Sequence, residues 1–357
     1  MKVAIDYQTA LGQKTGFGYY VKNLVENLEK IDKNSDYLLI KPNTEEDFST
    51  LKRFYWDQVK VPLYAKKNKV ELLHQPAFSA PIFYSEKMVV TVCDLISVFF
   101  GQDIPFISRQ YFGKWMPFTY RKADHIIAIS EQTKKDIIKF LAFPEEKITV
   151  IYLGADEKYF KQPEKSKIEV VKKKFQTGKN YFIHVGTINP RKNLEFLVKA
   201  FSNIVHENNN WNLVIAGKKG WYYDNLFKLV AERGLEKRVI FTGYVDDDEK
   251  HQLYWGAGAF VFPSIYEGFG LPPLEAMSAG VPVISSCVSS MPEVVGEAGV
   301  LLDPHDEESW SKTMLEFTRL TYLRRKLSAL SKERAKLFTW GKTARQTIEV
   351  YQKVVNE

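Results

Sequence analysis

The chain is poor in cysteine, with only Cys93 and Cys287 in 357 residues. That argues against a disulfide framework and makes a reducing compartment, the cytoplasm, the expected setting. Its six histidines are scattered without the spacing of a zinc site. No apolar run approaches the ~18 to 20 residues that a membrane-spanning helix needs. The first residues, Met1 to Asp6, lack the long apolar core of a signal peptide and read as a first strand. The dense basic stripe of a nucleic-acid binder is missing too, and the formal net charge of +7 is mild. Such a charge fits a solvated surface, and it also fits attraction to an anionic membrane face or an anionic substrate.

What is present is an alternation of short apolar runs with longer amphipathic ones, the pattern of an α/β protein with parallel sheets. At 357 residues the chain is long for one core and comfortable for two. In the first half, strands are expected over Lys2–Asp6, Tyr37–Lys41, Val70–His74, Met88–Cys93, His125–Ile129 and Ile148–Tyr152. Tyr20, Val21, Leu24, Val25 and Leu28 have helical spacing within about Gly18 to Lys30. Ser130 reads as the N-cap of a helix ending near Phe140. The second half repeats the design, with strands over Tyr181–Gly186, Asn212–Ala216, Val239–Thr242, Ala259–Phe262 and Pro282–Ser285. Its helices are expected over Asn193–Val205, Tyr223–Glu232, Glu249–Trp255 and Pro273–Ala279. The polar, lysine-rich stretch Lys161–Lys174 marks a domain boundary. Two Rossmann-like domains, residues 1–164 and 165–339, follow from this, with one more helix from Trp340 to the end. Ligands of such sheets sit outside the carboxyl ends of the strands, and a cleft between two such domains is the expected active site.

Residues 263–286, PSIYEGFGLPPLEAMSAGVPVISS, carry the most chemistry. A buried-strand run, Ala259 to Phe262, leads into a loop with Glu267, Gly268 and Gly270, and then into a helix carrying Glu275. Glycines ahead of a helix start offer backbone amides to a phosphate, and a carboxylate on that helix accepts hydrogen bonds from sugar hydroxyls. A second segment, His184 to Asn193, runs from a strand ending at Gly186 through Thr187 to two adjacent cations, Arg191 and Lys192, at a helix start. Cations there oppose the helix dipole, which calls for an anion beside them. His184 itself reads as a core histidine.

Three further features are weaker. Thr15-Gly16-Phe17-Gly18 follows the first strand, but it lacks the third glycine of a dinucleotide fingerprint. Asp246-Asp247-Asp248 has the composition of a cation site, yet N-capping of the helix that follows explains it more simply. Phe99 to Arg121 interleaves aromatics with Arg109, Lys114 and Arg121. It suits either an interfacial face or an ordinary amphipathic helix.

At these residues the sequence resembles retaining glycosyltransferase family 4, with the two-domain GT-B fold. PSIYEGFGLPPLEAMSAGVPVISS is similar to the family's E-x7-E signature, and GTINPRKNLEFLVKAF to its phosphate-binding segment in the mannosyltransferase-like variant. TGFGYYVKNLVENL, HQPAFSAP, VVTVCDL and ADHIIAISEQTKKDI extend the likeness through the first half. The resemblance implies that Glu275 binds the ribose hydroxyls and that Glu267 lies beside the donor sugar. The backbone of Gly268, Phe269, Gly270 and Leu271 would lie near sugar and diphosphate. Arg191 and Lys192 would neutralise the diphosphate, near Gly186 and Thr187, and Val245 would lie near the base. Gly16 and Gly18 would line the cleft from the acceptor-side domain, and Asp94 its acceptor side. Helix 340–357 would pack back on that domain. Two positions depart from the family pattern. Thr187 stands where many members have Arg, and Cys93 where the family usually has a histidine that contacts the sugar.

The activity implied is retaining transfer of a hexose, mannose from GDP-mannose as the first choice, to a glycan or lipid-linked acceptor. No metal and no cofactor would be needed. The setting would be the cytoplasm or the inner membrane face, with peripheral contact to anionic lipid. The alternative is a catalytically impaired nucleotide-sugar binding protein in which Cys93 is the lesion. A dinucleotide-dependent oxidoreductase is a third reading, which the E-x7-E loop and the Arg191-Lys192 pair oppose.

Overall fold

The computed structural model describes residues 1–12, 16–100, 106–207 and 210–357. Thr15, and residues 101–105 of the aromatic segment, lie outside them. The chain forms two compact units.

The first unit comprises Met1–Gly154 together with Phe338–Glu357. Its strands are β1 (Lys2–Asp6), β2 (Asp36–Ile40), β3 (Leu72–Gln75), β4 (Met88–Val92), β5 (His125–Ala128) and β6 (Ile148–Val150). They form one parallel sheet in the order β2-β1-β3-β4-β5-β6. β3, β4 and β5 are buried along their whole length, which is why they read as unbroken rather than alternating runs. Helix α1 (Gly16–Ile31) buries the stripe that the spacing predicts, Tyr20, Val21, Leu24, Val25 and Leu28. Ser130 caps helix Glu131–Leu141 by accepting a hydrogen bond from the Thr133 amide.

The C-terminal helix, Trp340–Asn356, belongs to this unit and buries Val350, Tyr351 and Val354. The Tyr351 hydroxyl lies 2.5 Å from Nδ1 of His74, whose Nε2 lies 2.9 Å from Thr91 Oγ1. Thr91 in turn meets the Tyr20 hydroxyl at 2.8 Å. This buried chain ties α1, β3, β4 and the last helix together. Burial pulls the His74 pKa down to about 3, so its ring is neutral and offers one donor and one acceptor.

The second unit is Ala155–Leu337. Its strands are β7 (Asn180–Val185), β8 (Trp211–Ala216), β9 (Val239–Gly243), β10 (Ala259–Phe262), β11 (Val283–Ser286) and β12 (Val300–Leu302). They form a second parallel sheet, in the order β12-β11-β10-β7-β8-β9. The chain winds outward one way from β7 and the other way from β10. The switch point therefore lies between those two strands, and their carboxyl ends are where a ligand of such a sheet binds. Phe182, Leu197, Trp211, Val261, Trp310 and Phe317 are core residues of this unit.

β1 and β10 match the expected strands, the others depart from them by one or two residues at their ends, and β12 was not expected. The polar stretch Lys161–Lys174 is different. Most of it is a helix, Lys165–Phe175, that buries Ile168 and Val171. The units divide earlier, between Gly154 and Ala155.

Candidate active site

β7 delivers Gly186 and Thr187, followed by a tight turn over Pro190–Lys192. Asn193, at φ 55°, separates that turn from helix Leu194–Ser202. β10 delivers the loop that carries Glu267. The two loops are joined by the Ile265 amide, 3.0 Å from the Arg191 carbonyl, and by the Arg191 guanidinium, which donates to the Tyr266 carbonyl. Glu267 Oε1 then receives Lys192 Nζ at 2.5 Å and Arg191 Nη1 at 2.7 Å. The anion that the sequence calls for beside this cation pair is, in the structure, the protein's own carboxylate. Burial alone would raise the Glu267 pKa, but Arg191 and Lys192 outweigh it and pull it down to about 2.

His184 lies beneath this cluster on β7. It is buried and stacks on Phe262, with centroids 5.4 Å apart. Nδ1 lies 3.1 Å from the Val261 carbonyl and donates to it, which leaves Nε2 as the acceptor. Burial, with Lys192 nearby, pulls the pKa to about 3, so the ring is neutral. A Cβ on Gly186 would sit 3.3 Å from Lys192 Cε and 3.4 Å from His184 Nε2, so glycine leaves the room that the lysine side chain uses.

After Glu267, the Ser290 hydroxyl donates to the carbonyls of Glu267 (3.0 Å) and Phe269 (2.8 Å) and fixes the loop. Gly270 has φ 108°, and a Cβ there would lie 2.4 Å from Met291 Cε. The backbone demands glycine, and an added carbon would also have to push aside the end of the Met291 side chain. It opens helix α6 (Leu271–Ser278), after helix α5 (Asp247–Gly256) has set the other wall. Pro272 and Pro273 fit the start of α6 because the amide they lack has no intrahelical partner there. The helix start is thus a poorer source of amides than its glycine loop suggests, since Leu271 alone of its first three residues carries one. More of the charge neutralisation falls to Arg191 and Lys192.

Glu275 lies on α6, half-buried against α5. Its Oε1 receives Lys250 Nζ at 2.9 Å, and its Oε2 receives the Tyr254 hydroxyl at 3.0 Å. Val245 is buried immediately ahead of α5. Asp246 caps that helix through the amides of Asp248 and Glu249, and Glu249 reaches back to the Asp246 amide to complete a capping box. Asp247 pairs with Lys158 at 2.5 Å and with Lys250 at 3.2 Å. Capping and ion pairing thus occupy the first two residues of the aspartate run.

Gly16, Gly18 and Asp94 belong to the first unit. Gly16 opens α1 and is exposed, Gly18 is buried on it, and Asp94 Oδ1 accepts from the Ile96 amide at 3.0 Å. Cys93 is buried after β4, where burial, with Asp94 adding to it, pushes the thiol pKa well up. Cys287 is exposed just after β11. From Phe106 onward the aromatic segment is helical throughout, in consecutive short pieces. It buries Tyr111, Met116 and Tyr120 and exposes Phe106, Ile107 and Phe118, as an amphipathic helix does. With helix α2 (Thr50–Tyr55), helices α3 (Phe106–Gln110) and α4 (Met116–Thr119) form an apolar groove of about 610 Å³ lined by Leu51, Phe54, Ile107, Lys114 and Phe118 among others.

The structure thus brings Gly186, Thr187, Arg191, Lys192 and Glu267 together at one switch point. Glu275 is eight positions beyond Glu267 in the sequence and is held by different partners. Lys250, Tyr254 and Ser290 were missed by the sequence reading. The signal for the first two is their i, i+4 spacing, which puts them on one helix face.

The family model described as Glycosyl transferases group 1 matches residues 165–334, and that of Glycosyltransferase Family 4 matches residues 35–159. O-antigen chain mannosyltransferase B of Escherichia coli is 34% identical over 283 residues, which cover 79% of this chain and 74% of that protein. This chain belongs to glycosyltransferase family 4. It is a mannosyltransferase-like member of that family. O-antigen chain mannosyltransferase RfbU of Salmonella typhimurium is 28% identical, with 89% of this chain and 80% of that one covered. Among solved structures, Anabaena Alr3699/HepE, in complex with UDP and glucose, has a TM-score of 0.77 at 17% identity, covering 99% of this chain and 100% of that one. WaaG, a glycosyltransferase involved in lipopolysaccharide biosynthesis, has a TM-score of 0.75 at 15% identity, with 98% and 99% covered. The fold of this family 4 glycosyltransferase is accordingly GT-B. No helix among its described residues is long and apolar enough to cross a membrane.

Proposed function

We propose that this glycosyltransferase moves mannose from GDP-mannose to a glycan or lipid-linked hydroxyl, with retention of the anomeric configuration and without a metal. The observation that carries the reading is the convergence of Arg191 and Lys192 on one carboxylate at the β7/β10 switch point. A leaving nucleoside diphosphate develops negative charge, and two preorganised cations in a water-poor site stabilise it. Glu267 would exchange these cations for the diphosphate and orient the sugar rather than attack it. Metal independence is supported by Asp246 and Asp247, which are committed to a helix cap and to two lysines. The choice of mannose rests on the two mannosyltransferase relatives.

The test is a thermal-shift screen with GDP, UDP, ADP and CDP, followed by turnover of the matching sugars with and without EDTA. The reading expects GDP to raise the melting temperature, and turnover of GDP-mannose to survive EDTA. No shift with any of the four, or activity that EDTA abolishes and manganese restores, would overturn it. Buried Cys93 favours a second reading, an impaired binder. In that case nucleotide binds without turnover, and Cys93→His gains activity.

The groove between α2, α3 and α4 supports contact with an anionic bilayer at the inner membrane face. Residues 50–69 and 106–122 hold one carboxylate, Asp57, and it is fully buried. Lys52, Lys60, Lys66, Lys67, Arg109 and Lys114 of these segments are exposed, as are Leu51, Phe54, Ile107 and Phe118, and Lys114 lines the groove with them. Cations around apolar side chains suit anionic headgroups over acyl chains. Co-flotation with liposomes containing phosphatidylglycerol tests this, and protein left at the bottom of the gradient at low salt counts against it.

A further inference from the structure

A Glu275 that accepts the ribose hydroxyls has to be held in one orientation, and it is half-buried against α5. Lys250 stands behind it. Its Nζ donates to Glu275 Oε1 at 2.9 Å and to Asp247 Oδ1 at 3.2 Å, and Asp247 is held on its other oxygen by Lys158 at 2.5 Å. Tyr254, one turn along α5 and buried, donates to Glu275 Oε2 at 3.0 Å. Lys158, Asp247, Lys250 and Glu275 thus alternate in sign, and their formal charges cancel.

The stoichiometry of this network is informative. A carboxylate has about four lone-pair sites, two on each oxygen. Lys250 uses one site on Oε1, and Tyr254 uses one on Oε2. Each oxygen keeps a further site, and two adjacent acceptors are what a vicinal diol needs. The 2′- and 3′-hydroxyls of a ribose are such a diol. Burial disfavours the Lys250 charge, but Glu275 and Asp247 outweigh it and raise the pKa, so the ammonium persists. A neutral or shorter side chain at 250 would leave Oε1 without this donor and free the carboxylate to turn.

We infer that Lys250 is the positioning residue that fixes Glu275 as a two-point acceptor for the ribose diol of the donor. This rests on the assignment of Glu275 to the ribose, and the experiment separates the two. Lys250→Met, Lys250→Arg and Glu275→Ala are titrated calorimetrically with GDP and UDP and with their 2′,3′-dideoxy counterparts. Wild type should prefer the ribose form of the nucleotide it binds, and Glu275→Ala should lose that preference. Lys250→Met should bind the ribose form about tenfold more weakly, the scale of one charge-assisted hydrogen bond, and the dideoxy form as wild type does. Lys250→Arg should recover most of the loss. Lys250→Met binding both forms like wild type, or losing both equally, overturns the inference while leaving the Glu275 assignment intact. Glu275→Ala that still prefers the ribose form overturns the assignment itself, and the inference with it. Thermal melts of each variant establish that the unit is folded.

Discussion

Lys192 Nζ and Glu267 Oε1 stand 2.5 Å apart although 75 residues separate them in sequence. The lysine and its neighbour Arg191 are thus held in place by the fold, and their charge is offset by one carboxylate. Preorganisation of this kind lowers the reorganisation that a developing charge would otherwise require.

Lys192→Ala should lower turnover by about two to three orders of magnitude, the scale seen when one preorganised charge donor is removed. Glu267→Gln should act differently. It releases the cation pair, so GDP should bind more tightly while turnover falls. Titration of GDP against steady-state kinetics reads both. Near-normal turnover for Lys192→Ala, or weaker GDP binding by Glu267→Gln, would remove the clamp assignment.

Gly270→Ala should destabilise the second unit by about 1–3 kcal/mol, since it combines an unfavourable backbone with an overlap. The overlap is with Met291 Cε, 2.4 Å from the added carbon, which is the end of a flexible side chain. Pairing the substitution with Met291→Ala should therefore recover part of the loss, the remainder being the φ of 108°. Urea unfolding of the two variants decides it, and full recovery in the double variant would assign the whole cost to the overlap.

Two buried histidines should make the fold acid-sensitive above the ordinary carboxylate range. His74 and His184 are held neutral, with pKa values pulled from 6.5 to about 3 by burial. Once the pH drops below 6.5 the unfolded chain takes up protons that the folded one refuses. The stability these rings contribute is therefore present above pH 6.5 and is lost as the pH falls towards 3. Glu267, lowered from 4.5 to about 2, adds a loss in the same direction below pH 4.5. Burial raises the Asp57 pKa to about 7, which acts in the opposite sense over the same window. Melting temperatures of an Asp57→Asn variant from pH 7 to 4 therefore measure the histidine slope, and a curve flat down to about pH 4.5 would contradict the neutral histidines.

If the groove in the first unit meets anionic lipid, Leu51→Ser combined with Phe118→Ser should reduce co-flotation, because both exposed side chains line it. Turnover on a water-soluble acceptor should stay at the wild-type level. Equal flotation of variant and wild type would show that these two side chains do not carry the contact.

Much of the site was legible because its residues sit in loops whose chemistry is local. Glycine, proline and charge at the ends of β7 and β10 point to a phosphate and a sugar without knowledge of the sheet. The pairing of Lys192 with Glu267, and of Lys250 with Glu275, was not legible, because it depends on which strands adjoin and which helices pack. Lys250 also hid among polar neighbours in Asp-Asp-Asp-Glu-Lys-His. β3, β4 and β5 were found to within two residues because strands buried on both faces are continuously apolar. Lys165–Phe175 went unrecognised as a helix because only two of its residues, Ile168 and Val171, are buried, while Val170 is exposed and lysines make up five of the other nine.

The Tyr351–His74 contact has a consequence for the order in which the protein is completed. A ribosome delivers β1 to β6 first, and early domains ordinarily close first. Here the first sheet must wait for the helix that carries Tyr351 and Val354 to emerge before its core is sealed. All residues of the second unit, Ala155–Leu337, are by then already out. The second unit can therefore finish while the unit synthesised ahead of it still exposes a strip of apolar surface to the chaperones of the cell.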